Sequence, residues 1–269
     1  QSFRQLPALA PKSFRQLFDS VVRNPANPKF RVALFTGCAQ DFIYPEQLVA
    51  AVKVLNRKGV AVDFPRSQTC CGLPLEMMGQ RETSIAVAKQ NIEAFAGGGY
   101  DAILTLCASC SGHLTNAYTD LLTEYPDNIR AQEFAGKVMT FTQFVYDKLG
   151  LRAEDFNNGG ESVTYHSPCH MRSHHITEQP RELLKMVADY RPAKEEDVCC
   201  GFGGTFSVKF PEISAEIGRA KVRNCENSGA RTIITDCPGC IMQIRGVATA
   251  KNSHVKVEHM AELLERNMK

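Results

Sequence analysis

The chain has 269 residues, of which 43% are hydrophobic and 22% are charged; this is a globular composition and excludes a disordered chain. Its formal net charge of +2, without a block of like charge, gives no reason to expect nucleic acid or an anionic membrane as a partner. No apolar run approaches the roughly 20 residues that span a bilayer, and residues 1–30 do not resemble a signal peptide. We therefore expect a cytoplasmic protein that reaches a membrane only through its partners.

Ten of the eleven cysteines fall into two sets of five that repeat after about 130 residues. The first set is Cys38, Cys70, Cys71, Cys107 and Cys110, and the second set is Cys169, Cys199, Cys200, Cys237 and Cys240. Each set contains a lone cysteine, then an adjacent pair followed by glycine, then two cysteines separated by two residues. The pattern indicates a duplicated thiolate site.

Predicted strands and helices alternate on both sides of this duplication. We expect a leader and linker at 1–30, with a short helix at 13–18, a first repeat at 31–160 and a second repeat at 161–269. Strands are predicted at 31–35, 60–64, 102–106, 138–141, 162–166, 231–235 and 254–257. Helices are predicted from Pro45 to just before Gly59, and at 83–95, 143–149, 181–188, 211–227 and 260–266, with a long charged connection before residue 160.

The alternation predicts an α/β fold with two pseudo-symmetric repeats, each a small parallel β-sheet covered by helices. Four cysteines directly follow predicted strands: Cys38, Cys107, Cys169 and Cys237. Sites in open parallel sheets collect at the carboxyl ends of the strands, so each set is expected at one edge of its sheet.

Clustered thiolates of this kind suggest a metal centre. Zinc needs four ligands in a closed tetrahedron, whereas each set offers five cysteines. The fifth thiolate favours a larger or open iron–sulfur cluster, or a thiol that reacts. Zinc in at least one site and redox-active disulfides remain open alternatives, while a structural disulfide framework is typical of short secreted chains instead.

The cysteine pattern resembles the cysteine-rich CCG-domain family of iron–sulfur proteins. The resemblance rests on Cys70-Cys71-Gly72, on Ser167-Pro168-Cys169-His170-Met171, and on the stretch from Cys199 to Lys209. The family includes the CCG-containing component of heterodisulfide reductase and the iron–sulfur component of glycolate oxidase. Its lactate-utilisation (LutA, or LldE) branch is the most similar, over about residues 30–267.

This resemblance implies an electron-transfer subunit of an iron–sulfur, non-NAD dehydrogenase complex that oxidises L-lactate, a 2-hydroxy acid, to pyruvate. It implies that each set of five cysteines holds a 4Fe-4S cluster, with the noncubane form and zinc in one site as variants. The implied partners are a LutB-like ferredoxin-type subunit, fused or separate, and a LutC-like subunit. Residues 3–18 resemble the end of LutB, so we expect the C-terminal part of a LutB–LutA fusion.

Two other functions are consistent with the cysteines: a heterodisulfide-reductase-type enzyme that cleaves a disulfide substrate, and a zinc-stabilised interaction module.

No catalytic residue is identified. Cys225 lies outside both sets and is expected to be a buried small hydrophobe. His170 is a candidate for a hydrogen bond to a cluster sulfur. The two sites are predicted to be inequivalent, with the reactive one near residues 202–209, because the first set lacks the second set's Gly203-Gly204 extension.

Overall fold

A computed structural model describes residues 6–157 and 159–269 of the chain. Within these residues the backbone forms two four-stranded sheets in which every neighbouring pair is parallel. The strands are β1 (Phe30–Phe35), β2 (Val60–Asp63), β3 (Ala102–Thr105), β4 (Val138–Thr140), β5 (Ser162–Tyr165), β6 (Asp189–Tyr190), β7 (Thr232–Thr235) and β8 (Lys256–His259). The predicted fold class is confirmed.

Both sheets have the same strand order. The first runs β2-β1-β3-β4 and the second runs β6-β5-β7-β8. In each sheet the chain leaves the two central strands in opposite directions, which opens a crevice at their carboxyl ends. The register places Phe35 at the end of β1 beside Thr105 at the end of β3, so the residues that follow both strands are neighbours.

Helices cover the faces of these sheets and fill the connections between strands. They are α1 (Phe14–Val21), α2 (Gly37–Phe42), α3 (Pro45–Arg57), α4 (Leu73–Met77), α5 (Arg81–Ala94), α6 (Ala108–Gly112), α7 (Tyr118–Leu121), α8 (Asn128–Lys137), α9 (Phe141–Gln143), α10 (Cys169–Ser173), α11 (Glu178–Val187), α12 (Phe206–Lys209), α13 (Pro211–Asn227), α14 (Pro238–Ala250) and α15 (Met260–Asn267). Single π-helical turns occupy His113–Ala117 and Phe144–Lys148, and a 3₁₀ turn occupies Ala153–Asp155.

The helix α3 shows why local sequence produces these elements. Pro45 occupies its first turn, where no backbone N–H is required, and its apolar residues recur so that one face is buried. Gly59 follows with φ +78°, a left-handed conformation that ends the helix at little steric cost. The chain then enters β2 directly.

Two hydrophobic cores each draw residues from both halves of the chain. One core joins Leu48 and Leu55 of α3 to Leu263 and Leu264 of α15. The other joins Phe35 and Tyr118 to residues of α14 and β7. The two sheets are therefore packed into one body, with α15 lying against α3. Within the described residues, no helix is long and apolar enough to cross a membrane.

The described part of the predicted leader is packed against the first sheet. Phe14 and Phe18 of α1 are buried, and both rings contact Phe64, with ring centroids 5.5 Å apart in each case. Asn24 also binds this segment to the first sheet, since its side chain accepts a hydrogen bond from Val62 N of β2 at 2.7 Å. Residues 3–5 of the LutB-like stretch lie outside the described residues.

Some local predictions were wrong. The long charged connection before residue 160 contains α8, whose Ala131 and Phe134 are buried in the core that includes Phe35 and Tyr118. The two-residue strand β6 was missed because it is too short to show alternation. The last strand runs Lys256–His259 rather than 254–257, so α15 begins directly after a histidine.

Candidate metal centre

The first set of cysteines gathers at the carboxyl edge of the first sheet. Cys38 is the second residue of α2, three residues after the end of β1, and Cys107 is the N-cap of α6, two residues after the end of β3. The Cys107 sulfur accepts a hydrogen bond from Cys110 N at 3.4 Å, which fixes both cysteines of this pair in one turn. Cys70 and Cys71 arrive in the loop that follows β2.

Within this set each thiol contacts the next. The sulfurs of Cys38 and Cys70 are 3.7 Å apart. The other thiols of the set are close enough to shift one another's pKa: Cys70 affects Cys71, Cys71 affects Cys110, and Cys110 is affected in turn by Cys107. The five sulfurs therefore form an unbroken run that begins at Cys38 and ends at Cys107.

The second set repeats the same run in the same order. The order is Cys169, Cys199, Cys200, Cys240 and Cys237. Cys169 is the first residue of α10, and Cys237 is the N-cap of α14, which begins directly after it at Pro238. The structure thus brings all ten predicted site residues together by set, as the spacing predicts.

The two runs meet, a feature that the spacing does not predict. Cys107 of the first set lies beside Cys237 of the second, close enough for each thiol to shift the pKa of the other. Next to this contact, Ala108 N donates to Asp236 O at 3.1 Å, and the Ser109 hydroxyl lies 3.6 Å from the Cys237 sulfur. The ten thiols consequently form one continuous run across the contact between the sheets; we call this the thiol run.

Burial along the thiol run is uneven. The thiols near the contact between the two sets are buried: Cys71, Cys107, Cys110, Cys200, Cys237 and Cys240. At the two ends, Cys38 is exposed, and Cys70, Cys169 and Cys199 are partly exposed. The centre of the run is shielded from water while its ends reach the surface.

The thiols cannot all ionise together in this arrangement. A hydrogen bond from Cys38 lowers the pKa of Cys70, and hydrogen bonds from neighbouring thiols lower the pKa of Cys200 and of Cys237. The donors to these thiolates, among them Cys38 and Cys240, have raised pKa values because they hold the shared protons. Loss of every proton requires positive charge among the sulfurs, which a multiply charged metal core would supply.

Glycines let the backbone lie close to the sulfurs. Gly37 has φ +63°, and a Cβ there would be 3.1 Å from the Cys110 sulfur. Gly72 and Gly201, which follow the two cysteine pairs, have φ values of +93° and +84°. Gly201 N donates to the Cys199 sulfur at 3.3 Å, the kind of N–H···S bond that stabilises a thiolate ligand.

A buried acid lies where the sets meet. Asp236 precedes Cys237, and its carboxylate accepts hydrogen bonds from the hydroxyls of Thr142 and Tyr165, the latter at 2.7 Å. Burial raises the pKa of Asp236. These two donors tie the first half of the chain, through Thr142, to the strand end that delivers Cys237.

Histidines next to the second set were only partly anticipated. His170, the predicted candidate, is exposed and lies 3.4 Å from the Ser109 hydroxyl. His166 is fully buried, and its ring lies within 4.8 Å of the Cys200 and Cys240 sulfurs. Burial lowers the pKa of His166 to about 3, so the ring is neutral at ordinary pH. Its position three residues before Cys169 was the only signal in the sequence.

The eleventh cysteine behaves as predicted. Cys225 lies in α13, is completely buried in the apolar core that surrounds α14, and belongs to neither set. Burial raises the pKa of Cys225 to about 11. It is a packed thiol and lies outside the thiol run.

Comparison with known proteins identifies relatives over most of the chain. A lactate utilization protein A of Shouchella clausii is 38% identical over 239 residues, which are 87% of this chain and 98% of that protein. Lactate utilization protein A 1 of Bacillus mycoides is 37% identical over 248 residues, 89% of this chain and 98% of that protein. An uncharacterized iron-sulfur protein of Methanococcus maripaludis is 37% identical over 83% of this chain and 42% of its own length.

Among solved structures, a hypothetical protein from Helicobacter pylori superimposes with a TM-score of 0.63 at 11% identity, covering 93% of this chain. The chain spans about half, 52%, of that structure, and the likeness concerns the fold alone. The cysteine-rich domain family, CCG, matches residues 32–115 and 163–245, the stretches that contain the two cysteine sets. The chain therefore belongs to the cysteine-rich CCG-domain family, with two copies of the domain, and is a relative of the lactate utilization proteins A.

Proposed function

We propose that the chain is an iron–sulfur electron-transfer component of a complex that oxidises L-lactate to pyruvate. The observation that carries the proposal is the thiol run, in which two five-cysteine sets of identical order meet at Cys107 and Cys237. The relatives named lactate utilization protein A supply the substrate class, and the relative named an iron-sulfur protein supplies the cofactor class.

The donor set fits an iron–sulfur core at each set. All ten ligands are thiols, the class that iron–sulfur clusters prefer, and five in a run exceed the four that one zinc ion accepts. When bound, a four-iron centre at each set would accept and release single electrons, so that two centres match the two electrons released as L-lactate becomes pyruvate.

The chain's own residues then have distinct roles in the proposal. The ten cysteines are the ligands, and backbone N–H groups such as that of Gly201 stabilise their negative charge. The buried contact between Cys107 and Cys237 holds the two sites together and keeps water from the path between them. The partly exposed ends of the run face the side from which a substrate or a partner would approach.

The complex that we propose contains a LutB-like ferredoxin-type subunit and a LutC-like subunit. The chain's relatives are named for lactate utilization, and a thiol run with exposed ends suits exchange of electrons with such a partner. A heterodisulfide-reductase-type activity is the second candidate, because the partly exposed Cys169 and Cys199 would let a disulfide approach the second site.

Metal content after anaerobic purification tests the cofactor. We expect iron and acid-labile sulfide in the protein, with about half of each lost in Cys71→Ser and in Cys200→Ser, since each substitution removes one buried ligand from one set. Cys225→Ala is the matched control and should keep full iron content. Stoichiometric zinc without iron would refute the proposal.

The substrate is tested separately with the assembled complex. The chain is mixed anaerobically with LutB-like and LutC-like subunits, and the visible absorbance of the iron–sulfur centres is followed. L-Lactate should bleach this absorbance, while D-lactate and a disulfide such as cystine should not change it. Reoxidation of pre-reduced protein by the disulfide, without any response to L-lactate, would favour the heterodisulfide-reductase-type alternative.

A further inference from the structure

His166 is a fully buried histidine without a hydrogen-bond partner for its ring. It follows β5, and its backbone N–H donates to Ile234 O at 2.9 Å, so its backbone extends the ladder with β7. Its side chain is completely buried, yet within residues 6–157 and 159–269 neither ring nitrogen has a hydrogen-bond partner. Buried polar groups are nearly always paired, because leaving them unpaired is costly.

Another buried histidine shows what a structural role looks like in this chain. His259 is also fully buried, but both of its ring nitrogens are engaged. Its Nε2 lies 2.7 Å from Leu106 O, and its Nδ1 accepts a hydrogen bond from Ala261 N at 3.1 Å. The ring of His166 has no equivalent bonds. One of its ring nitrogens and the sulfurs of Cys200 and Cys240 instead all lie within 4.8 Å of one another.

The first repeat has a different residue at the matching position. Phe35 precedes Cys38 by three residues, as His166 precedes Cys169, and both are fully buried. The ring of Phe35 lies beside the first set, since a Cβ on Gly37 would be 3.9 Å from it and 3.1 Å from the Cys110 sulfur. The two repeats therefore place an apolar ring at one site and an imidazole at the other.

We propose that His166 donates its ring N–H to a sulfur of the centre held by the second set; this rests on the iron–sulfur function proposed above. A neutral imidazole has one N–H donor, and such a bond stabilises the more negative, reduced form of a cluster. His166 is then a positioning residue that raises the reduction potential of the second centre above that of the first, where Phe35 cannot donate.

Redox titration of anaerobically loaded protein, followed by electron paramagnetic resonance, tests this assignment. His166→Phe copies the first repeat and should shift the second centre to a more negative potential, with the first centre and the iron content unchanged. His166→Gln keeps an N–H donor and should recover part of the shift. Phe35→His should move the first centre to a more positive potential.

A spectroscopic readout identifies the contact itself. In protein labelled with ¹⁵N-histidine, pulsed electron paramagnetic resonance of the reduced second centre should show a weak hyperfine coupling to histidine nitrogen. This coupling should be lost in His166→Phe. A strong coupling, typical of nitrogen bound directly to iron, would overturn the hydrogen-bond assignment. Unchanged potentials in both His166 variants would also overturn it.

The metal-free protein separates a structural role from the proposed one. His259→Phe removes two hydrogen bonds and should lower the melting temperature, whereas His166→Phe removes none and should lower it far less. Equal losses would make His166 a structural residue and refute the inference. Wild-type protein that binds no iron would instead refute the proposed function, which keeps the two failures distinct.

Discussion

Gly201, which follows the second cysteine pair, has the most constrained backbone near the thiol run. Its φ is +84°, and a Cβ would lie 2.9 Å from both Ser214 O and the Ile217 side chain. Its own carbonyl accepts a hydrogen bond from the Ser214 hydroxyl at 2.7 Å. The loop that carries Cys199 and Cys200 is thereby fixed against α13.

Replacement of Gly201 by alanine should disturb both stability and the second site. A side chain in a left-handed conformation costs about 1–2 kcal/mol, and the backbone clash adds to this. Gly79→Ala is the control, because Gly79 has φ +76° but nothing within 4 Å of a Cβ. Denaturant unfolding should show the larger loss for Gly201→Ala, together with loss of iron. Equal losses would contradict the role of the α13 contact.

At the residue scale, the sequence predicted which cysteines lie together better than it predicted what surrounds them. Spacing alone grouped the ten cysteines into the two sets that lie together in the structure, because duplicated motifs at strand ends are local signals. Their role as ligands stays a prediction. Spacing did not identify the unpaired ring of His166, since pairing depends on residues distant in the chain. The exposure of an apolar residue likewise depends on distant packing: Ile213 of α13 is 55% exposed.

Among the elements, α15 has a glutamate in its first turn, Glu262, whose surroundings disfavour the ionised carboxylate. Glu262 accepts a hydrogen bond from His259 N at 2.8 Å and completes a capping box at the start of the helix. Burial, with a contribution from the neighbouring Glu258 and Glu46, raises the pKa of Glu262 to about 7. The folded protein therefore retains a proton that the unfolded chain loses near pH 4.5.

Glu262→Gln should make folding less dependent on pH. In the wild type, the stability that protonated Glu262 contributes is fully present below about pH 4.5. It falls as the pH rises toward 7, because in this range the unfolded state loses the proton while the folded state keeps it. Glutamine keeps the acceptor without the charge. The metal-free variant should be more stable than wild type by about 1–2 kcal/mol at pH 7.5 and nearly equal to it at pH 4.5.

Urea unfolding at the two pH values measures this difference. Glu124→Gln, at an exposed position, controls for the loss of one negative charge. A gain from Glu262→Gln that is equal at both pH values would contradict the ionisation argument.

Helices with a clear cap and a regular apolar pattern in the sequence were predicted, and helices without them were missed. The helix α13 was predicted with its observed ends because Pro211 marks its first turn and apolar residues recur along it. The helix α8 was missed because only two of its ten residues, Ala131 and Phe134, are buried. In the sequence, a charged segment with so few apolar residues is hard to distinguish from a loop.

For the molecule as a whole, shared cores mean that the halves stabilise each other. The helix α15 from the end of the chain packs against α3 of the first half, and Glu265 forms ion pairs with Lys53 and Arg57. These surface pairs contribute little, so the buried leucines of both helices supply most of the stability of this contact.

Leu263→Ala should therefore weaken the entire molecule. Deletion of a fully buried leucine side chain costs about 2–5 kcal/mol. We expect one shifted transition in metal-free protein, identical by circular dichroism and by tyrosine fluorescence, since the chain has seven tyrosines and no tryptophan. Leu9→Ala, at a position 75% exposed, should have little effect. Two separate transitions would show that the halves unfold independently.

The way in which the two sheets pack against each other could not be predicted from the sequence. Alternating strands and helices predicted two parallel sheets, and the duplication predicted that they would be alike. Nothing in the spacing could show that the sheets meet at Cys107 and Cys237, because that contact depends on surfaces formed only after both halves have folded. The division at residue 160 stays a prediction.

The uneven burial of the thiol run has a consequence for how the protein matures. Inner sulfurs such as Cys71 and Cys240 lie beneath the exposed or partly exposed Cys38, Cys70, Cys169 and Cys199. Under the proposed function, iron and sulfide delivered to the folded chain would enter at the ends of the run and travel inward, past thiols that air can oxidise first. Assembly would then proceed from outside to inside, and oxidation of the outermost sulfurs would be enough to block the loading of the sulfurs below.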